Sequence, residues 1–487
     1  MDRADFLYKS FLEHFGHDPT PCQDGLFRSL ADFVTCDDAD ILVVNGYAGT
    51  GKTTAVAAAI EVLGSMGAQS VLLAPTGRSA KVLASIAGRS ASTIHKHIYR
   101  QKSVSAEGYG SFSLAPNKAR NTLFVVDEVS LIGSDTADVQ SGGSALFGTG
   151  NLLEDLVNFV RNGADCRMVL IGDDAQLPPV GLEESPALSH EVMDWFGGVR
   201  WCRLTSVVRQ ASESGILRNA TMLRELLAQF RENGESGELR LDLSGTDDVV
   251  RIGGGELIDA ISDAYDHFGQ DETVVLCRSN RRANRYNMGI RSRVQYKEEE
   301  LVRGDRLMIV RNCYQFLEDV PQLDYIANGD IAKLVRIGHY EERYGLNFAE
   351  ALLSFPDYGD VEIGAKVCLD TLHSESASLT REQQNALYEG VWADYSDRKT
   401  KKKIWQGVRE DVYYNALQLK YAEAITCHKA QGGQWDCVFI DCPFWLPEQS
   451  ADDIKWLYTA VTRAVKKVYL VNFPDRFFAD QVQEGDL

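Results

Sequence analysis

Gly46-Tyr47-Ala48-Gly49-Thr50-Gly51-Lys52-Thr53-Thr54 decides how this chain is read. The run fits the pattern G-x-x-x-x-G-K-[ST], with an apolar stretch at 41–44 before it and an alanine-rich helical stretch at 54–63 after it. Glycines in such a turn let successive backbone N–H groups face phosphate oxygens. Lys52 brings a point charge to the β and γ oxygens, and the Thr53 hydroxyl is placed to ligate Mg2+. A strand before and a helix after separate the pattern from a chance match in a loop, so residues 46–54 are expected to bind a nucleoside triphosphate.

Outward from this loop, apolar runs at 41–45, 70–74, 123–127 and 167–173 alternate with helical runs, the pattern of an α/β fold with a parallel sheet wrapped by helices. The polar residues stand at the carboxyl ends of the strands, where open parallel sheets bind ligands. A second set begins near Trp201 and includes 272–277, 437–441 and 468–472. Two α/β lobes with a nucleotide between them are expected. After the strand TLFVV come Asp127 and Glu128, and adjacent acids at a strand end suit a metal-side carboxylate, Asp127, and a base for the attacking water, Glu128. In Gly172-Asp173-Asp174-Ala175-Gln176-Leu177-Pro178-Pro179-Val180-Gly181 two prolines stiffen a loop that can hold the Gln176 amide near a γ-phosphate. Arg209, in 204–210, and Arg463, in 458–464, are candidates to neutralise charge on the transferring phosphoryl group from a second lobe, which works only when the lobes close.

The 487 residues carry a formal charge of −20 and an apolar share of 44%, which excludes disordered and fibrous classes. No apolar run approaches the ~18 residues of a membrane span, and the acidic start MDRADFLYKSFLEHF is unlike a secretion signal, so a cytoplasmic location is expected. Ten cysteines without a C-x-x-C pair or zinc spacing read as reduced thiols. The negative charge argues against coating of duplex, but a narrow groove for a single strand needs only a local basic and aromatic strip. Two insertions interrupt the lobes. Residues 97–121, polar and Gly/Ser-rich, read as a short hairpin inserted in the first lobe, or equally as a disordered surface loop. Residues 304–413 open with alternating strand-like segments around the turn Asn328-Gly329 and end in a charged helical piece whose basic run, 398–403, reads as a solvated face.

The ordered segments GYAGTGKTT, LAPTGRSA, STIHK, VVDEVS, GDDAQLPPVG, VVRQ, AITCHKAQGGQWD and LYTAVTRA resemble the motifs of superfamily 1 helicases, in a form similar to subclass B, the RecD-like and phage Dda-like enzymes. The resemblance covers nearly the whole chain. It implies two RecA-like lobes, the first at 1–96 and 122–200 with a pin at 97–121, the second at 201–303 and 414–487 with an SH3-like β insertion and helical extension at 304–413; Tyr109 and Phe112 are the candidate strand-separating residues of the pin, although aromatics in a hairpin at least as often staple its own strands. It further implies an ATP-dependent DNA helicase moving 5′ to 3′ on single-stranded DNA and opening forked duplex, with ATP and Mg2+ as cofactors, a monomeric state, and replication or recombination proteins as partners. By motif position Gln23 matches the adenine-reading glutamine, Gln176 the γ-phosphate sensor, and Arg209 and Arg463 the paired arginine fingers. Gly432 and Gln434 match the ribose-side stretch, where the family usually has Glu and this chain has Gln434. Pro75, Thr76, Arg78, Thr93 and His95 match DNA contacts of the first lobe, and Thr426, His428 and Lys429 those of the second. An RNA-directed motor of the same superfamily and a nucleotide-gated DNA clamp remain alternatives; a nuclease is the least supported, since no second acidic cluster is visible.

Overall fold

The computed structural model describes residues 2–101, 112–133, 148–207, 214–234, 237–317, 320, 323, 325–398, 400–444 and 449–478. In chain order the first strands are β1 (Ile41–Gly46), β2 (Gln69–Ala74), β3 (Ala91–Thr93), β4 (Tyr99–Gln101), β5 (Phe112–Leu114), β6 (Thr122–Val126), β7 (Arg167–Gly172) and β8 (Val199–Leu204). Six of them form a parallel sheet in the order β3-β2-β6-β7-β1-β8. β1 reads ILVVNG with every residue buried, as a central parallel strand covered on both faces requires. It delivers the glycine-rich loop to the carboxyl edge of the sheet, and the helix Lys52–Ser65 returns along one face.

The next strands are β9 (Val249–Ile252), β10 (Thr273–Cys277), β11 (Arg306–Ile309), β12 (Ile331–Arg343), β13 (Leu346–Phe355), β14 (Val361–Cys368), β15 (Leu417–Tyr421), β16 (Ala424–Thr426), β17 (Trp435–Asp441) and β18 (Ala464–Val471). A second parallel sheet has the order β16-β10-β17-β18-β9, and β11 to β15 close into a barrel. The helices Arg381–Asp394 and Lys401–Glu410 pack outside the barrel, burying Leu387, Val391 and Val408 against Leu346 and Phe348.

Two boundaries differ from the sequence expectation. β8 lies along β1 with Trp201 opposite Val43, so the first sheet continues to Leu204 instead of ending at 200. The barrel takes its last strand from 417–421, beyond 413. The hairpin at 97–121 is present at its base, where Tyr99 pairs with Leu114 and Gln101 with Phe112, while Tyr109 lies outside the described residues. The lobes meet through an apolar core in which Ala175 and Leu177 of the first join Trp435, Tyr458 and Ile216 of the second. Among the described residues no helix is long and apolar enough to cross a membrane.

Candidate functional site at the seam of the lobes

The loop after β1 is held in one shape by its neighbours. Gly49 and Gly51 have φ of 76° and 69°, and Gly51 caps the helix Lys52–Ser65 in the left-handed region, where glycine carries no Cβ penalty. At Gly46 a Cβ would stand 3.1 Å from Leu204 Cβ and 3.3 Å from Lys52 Cδ, so the strand end leaves no room for a side chain. The Thr50 hydroxyl donates to the Tyr47 carbonyl at 2.7 Å. Gln23 braces the loop from outside: its Nε2 donates to the Thr50 carbonyl at 3.0 Å, and its Oε1 accepts from Thr20 N–H at 2.9 Å in a capping box at the head of the helix Pro21–Thr35. The buried amide expected to read adenine is therefore engaged by the protein on both its oxygen and its nitrogen. The Tyr47 hydroxyl accepts from Arg203 at 2.8 Å, and the Arg224 guanidinium lies 4.7 Å from its ring centroid.

The acids stand beside Lys52. Thr53 Oγ1 donates to Asp127 Oδ2 at 3.0 Å, and Asp127 Oδ1 accepts the Glu128 N–H at 2.8 Å. Burial, and then the adjacent Glu128 carboxylate, push the Asp127 carboxyl up to about 6; Lys52 and Thr53 pull against that. Glu128 is held at φ 55°, a left-handed conformation uncommon for a residue with a Cβ, and such strain clusters at functional positions. A third acid, Asp173 at the end of β7, accepts from the Tyr458 hydroxyl at 2.6 Å and from Ala175 N–H at 3.0 Å. Burial raises its pKa while Lys52 lowers it. The same Tyr458 oxygen accepts the Ala48 N–H at 2.9 Å, so one side chain of the second lobe joins the phosphate loop to Asp173.

The loop after β7 is fastened across the seam. Leu177 N–H donates to Thr459 Oγ1 at 2.8 Å, and Gln431 Nε2 donates to the Leu177 carbonyl at 2.5 Å. Between these fastenings Gln176 is 4% exposed and its Oε1 has no hydrogen-bond partner. A buried amide oxygen without a donor costs about 1–3 kcal/mol, which a ligand at that point would relieve. Arg463 is 3% exposed and bonds the Thr459 and Gly433 carbonyls and the Thr462 hydroxyl at 3.2–3.3 Å. No carboxylate pairs with it among the described residues, so it is a buried cation without a counter-anion. Arg209 lies outside the described residues. A Cβ on Gly432, at φ 72°, would stand 1.9 Å from Ser79 Oγ, and the backbone carbonyl of Gln434, whose side chain is exposed, accepts from Arg78 at 3.0 Å. Both hold the second lobe against the helix Gly77–Ala87.

A second set of candidates converges on one turn of the barrel. Thr76 follows Pro75 at the end of β2 and caps Gly77–Ala87 through Ser79 N–H at 3.2 Å; Thr93 ends β3 and caps Ile94–Ile98 through Lys96 N–H at 3.3 Å. Thr426 ends β16, the outer strand of the second sheet as β3 is of the first, and makes no cap bond of its own. Tyr358 of the barrel sits against Gly77, Tyr325 lies 6.4 Å from the His95 ring, and Lys429 donates to Asn328 at 2.6 Å, so all three strand ends meet the region around the barrel turn 325–330. Burial lowers the His95 pKa to about 4, and burial with Arg278 and Lys429 lowers that of His428, so both imidazoles are neutral near pH 7. Arg78, half-buried, stacks 3.9 Å from the Trp435 ring, and its lost hydration lowers its pKa to about 10, so it links the lobes. Phe112 is 9% exposed against Tyr314, centroids 5.1 Å apart, which removes it as an exposed wedge.

Residues 28–140 match the AAA domain family, and residues 421–471 match the UvrD-like helicase C-terminal domain. The two matches fall on the phosphate loop with its acids and on the second-lobe segment that carries Gln431, Tyr458 and Arg463. Each match covers less than half of the chain. Among its curated relatives, the ATP-dependent RecD2 DNA helicase of Deinococcus radiodurans is 33% identical over 185 residues, covering 37% of this chain and 21% of the relative. The ATP-dependent DNA helicase dda of Enterobacteria phage T4 is 25% identical over 471 residues, covering 88% of this chain and 94% of the relative. The chain thus spans about a fifth of the first relative's length and nearly all of the second's. A solved Pif1 helicase from Bacteroides in complex with ADP-AlF3 and single-stranded DNA aligns over 95% of this chain and 94% of its own, at 15% identity and a TM-score of 0.44.

Two features of the site also have a signal in the sequence. Asp173 and Tyr458 stand inside quoted motifs, and their mutual bond shows only in three dimensions. The steps Thr93-Ile94-His95-Lys96 and Thr426-Cys427-His428-Lys429 share one pattern, T-x-H-K, and each begins at the outer strand of its own parallel sheet. That repeat marks the two lobes as variations on one unit.

Proposed function

We propose that this chain is an ATP-driven DNA helicase that advances 5′ to 3′ on single-stranded DNA. The observation that supports it most is the seam: Tyr458, Thr459 and Gln431 of the second lobe bond the very loops of the first lobe that carry Ala48, Asp173 and Leu177. Whatever alters the phosphate loop therefore alters how the lobes sit.

The residues fit a magnesium nucleotide. Thr53 and Asp127 offer two oxygens 3.0 Å apart, and no larger group of metal-holding side chains occurs among the described residues, which leaves the rest of the shell to phosphate oxygens and water as Mg2+ prefers. A bound Mg2+ would supply positive charge to the phosphates, held by Thr53 and Asp127. Lys52 adds a second positive charge there. Glu128 orients and deprotonates the attacking water, and the unpartnered Oε1 of Gln176 accepts a hydrogen from it. Arg463, lacking an anion, moves from backbone carbonyls to the transferring phosphoryl group, with Arg209 as its pair.

The strand lies across the ends of β2, β3 and β16. Threonine hydroxyls, helix N-termini and neutral imidazoles there grip phosphates with little regard to base, which suits a motor that reads no sequence. A forked duplex with a 5′ or a 3′ single-stranded tail tests the reading: strand separation with ATP on the 5′-tailed fork alone is expected. Separation on the 3′-tailed fork alone reverses the direction, and ATP hydrolysis without separation on either indicates a clamp. Stimulation of hydrolysis by matched RNA as strongly as by DNA indicates an RNA-directed motor.

A further inference from the structure

The second-lobe sheet has a face that takes no part in the seam. Val274 and Leu276 of β10 point into the core shared with the helices Gly215–Asn233 and Ala451–Val461, whereas Val275 and Cys277 point to the other side, under the helices Leu257–Phe268 and Asn280–Arg293. Between these last two helices runs a groove of about 610 Å³, within the usual range of ligand sites. Its floor is apolar, with Leu257, Ile258, Ile261 and Met288, the last 45% exposed. No carboxylate lines it. Arg285 and Arg293 stand on its rim, both exposed, and neither has a carboxylate partner among the described residues, although the chain carries a net charge of −20.

Gly289 supplies an independent observation. It sits in the middle of the helix Asn280–Arg293, one turn from Arg285 and one from Arg293, where glycine weakens a helix relative to alanine. The helical glycines Gly390 and Gly407 make room for the rings of Tyr344 and Tyr395, whereas Gly25, in the helix Pro21–Thr35, has no neighbour. At Gly289 a Cβ would meet nothing within 4 Å, so the notch serves no packing within the chain and opens into the groove.

We propose that this groove docks a short acidic segment of a partner protein, whose apolar side chains fill the notch at Gly289 and whose carboxylates meet Arg285 and Arg293. An aliphatic floor with arginines that lack a carboxylate partner at its rim, beside an Arg282 already paired with Asp441, is an arrangement by which an amphipathic peptide is held. A nucleic-acid strand offers no aliphatic groups to that floor, and the aromatic ring beside it, Tyr286, has its hydroxyl committed to Asp441 at 2.7 Å.

The test uses the full chain and three fluorescein-labelled probes read by anisotropy: a peptide of alternating acidic residues with leucine and phenylalanine, the same peptide with serine at the apolar positions, and an oligo-dT strand. The first peptide is expected to bind saturably in the micromolar range, with the serine peptide at least about tenfold weaker. Gly289→Leu, which fills the notch and favours the helix, and the double variant Arg285→Glu with Arg293→Glu are each expected to weaken the first peptide by about tenfold or more while ATP hydrolysis and the melting temperature are kept. The proposal fails if the first peptide does not saturate below about 1 mM, or if it binds both variants as well as the parent chain. It fails equally if oligo-dT is the probe that the arginine variant loses and Gly289→Leu keeps, since the surface is then a nucleic-acid contact.

Discussion

Tyr458→Phe removes a single oxygen from the seam and should uncouple the lobes while sparing their cores. The Tyr458 ring is 1% exposed and packed in the second-lobe core, so phenylalanine keeps its buried surface. Two bonds are lost: the one to Asp173 Oδ2 at 2.6 Å and the one from Ala48 N–H at 2.9 Å. A hydrogen bond to a charged group contributes about 1.5–3 kcal/mol, and a buried N–H left without an acceptor costs about 1–3 kcal/mol. The two share one oxygen and are not additive, so the closed seam should weaken by on the order of 2–4 kcal/mol, a shift of roughly 30- to 1000-fold in its population. Asp173, already raised by burial, also loses a donor that holds its pKa down. The assay is steady-state ATP hydrolysis with and without oligo-dT, alongside a thermal melt to establish folding. The expected result is a kcat in the presence of DNA lowered by at least about tenfold, with a much smaller change in the rate without DNA. A variant that melts like the parent and keeps its DNA-stimulated kcat within about twofold would refute the reasoning, because the seam would then close without the bond that joins its two loops.

Lys52→Ala should abolish hydrolysis, by about a hundredfold or more, with the melting temperature held near that of the parent, since Lys52 is placed to act on phosphate and not on the core. Gly432→Ala should separate the lobes by a different route: its Cβ would stand 1.9 Å from Ser79 Oγ at a φ of 72°, so DNA-stimulated hydrolysis should fall while the rate without DNA changes less, and equal rates would show that the contact is dispensable. Asp330→Asn should flatten a pH dependence of stability. Burial, opposed by Ala327 N–H and the Tyr358 hydroxyl, raises the Asp330 carboxyl to about 7. A folded pKa above the unfolded value means stability present at low pH and lost as pH rises through the folded pKa, here between about 4 and 7, by on the order of 2–4 kcal/mol. Melting curves at pH 5 and pH 8 should therefore differ more for the parent than for the variant, and an equal difference would place the titration elsewhere.

The elements that depend on local pattern were legible in the sequence. β1 is apolar at every position because it is covered on both faces, and the glycines of the following loop are dictated by their positive φ. Boundaries set by tertiary pairing were not. β8 is an edge strand whose residues are mostly half-buried, so its VRWCRL reads as the opening of a new unit although hydrogen bonds tie it to β1. Only Ala422 and Glu423 separate β15, which closes the barrel, from β16, which belongs to the second sheet, and no change of composition marks the passage. Within the site, residue types and order could be matched to a motor, but partnership could not. Gln23, matched to adenine reading, bonds the Thr50 carbonyl, and Arg78, matched to DNA contact, is turned onto Trp435, because both outcomes depend on which distant chain segment lies alongside.

The barrel is inserted in the second lobe yet touches the first, and the strengths of its two attachments decide which lobe it follows. Toward the second lobe, Arg306 of β11 is 4% exposed, pairs with Glu423 at 3.4 Å and donates to the Gln270 carbonyl at 2.6 Å; Tyr265 and Gln270 complete the shell of Glu423. Removing one partner from such a buried pair costs about 3–5 kcal/mol. Toward the first lobe, the ion pair is Lys81 with Asp357 at 3.4 Å, the lysine 56% exposed, of a kind that contributes about 0–1 kcal/mol. The other contacts on that side are Lys81 with the Pro356 carbonyl at 3.3 Å, Tyr358 against Gly77, Tyr325 beside His95 and Tyr314 against Phe112, none of them a buried ion pair. If the seam opens, the buried pair of Arg306 with Glu423 would hold the barrel to the second lobe, and the contacts with the first lobe would be the ones to yield. The barrel turn would carry Asn328, bonded to Lys429, along with Thr426 and away from Thr76 and Thr93. A strand held at both sets of threonines would then be drawn between two grips whose spacing changes with each cycle, which is what a motor without base readout needs.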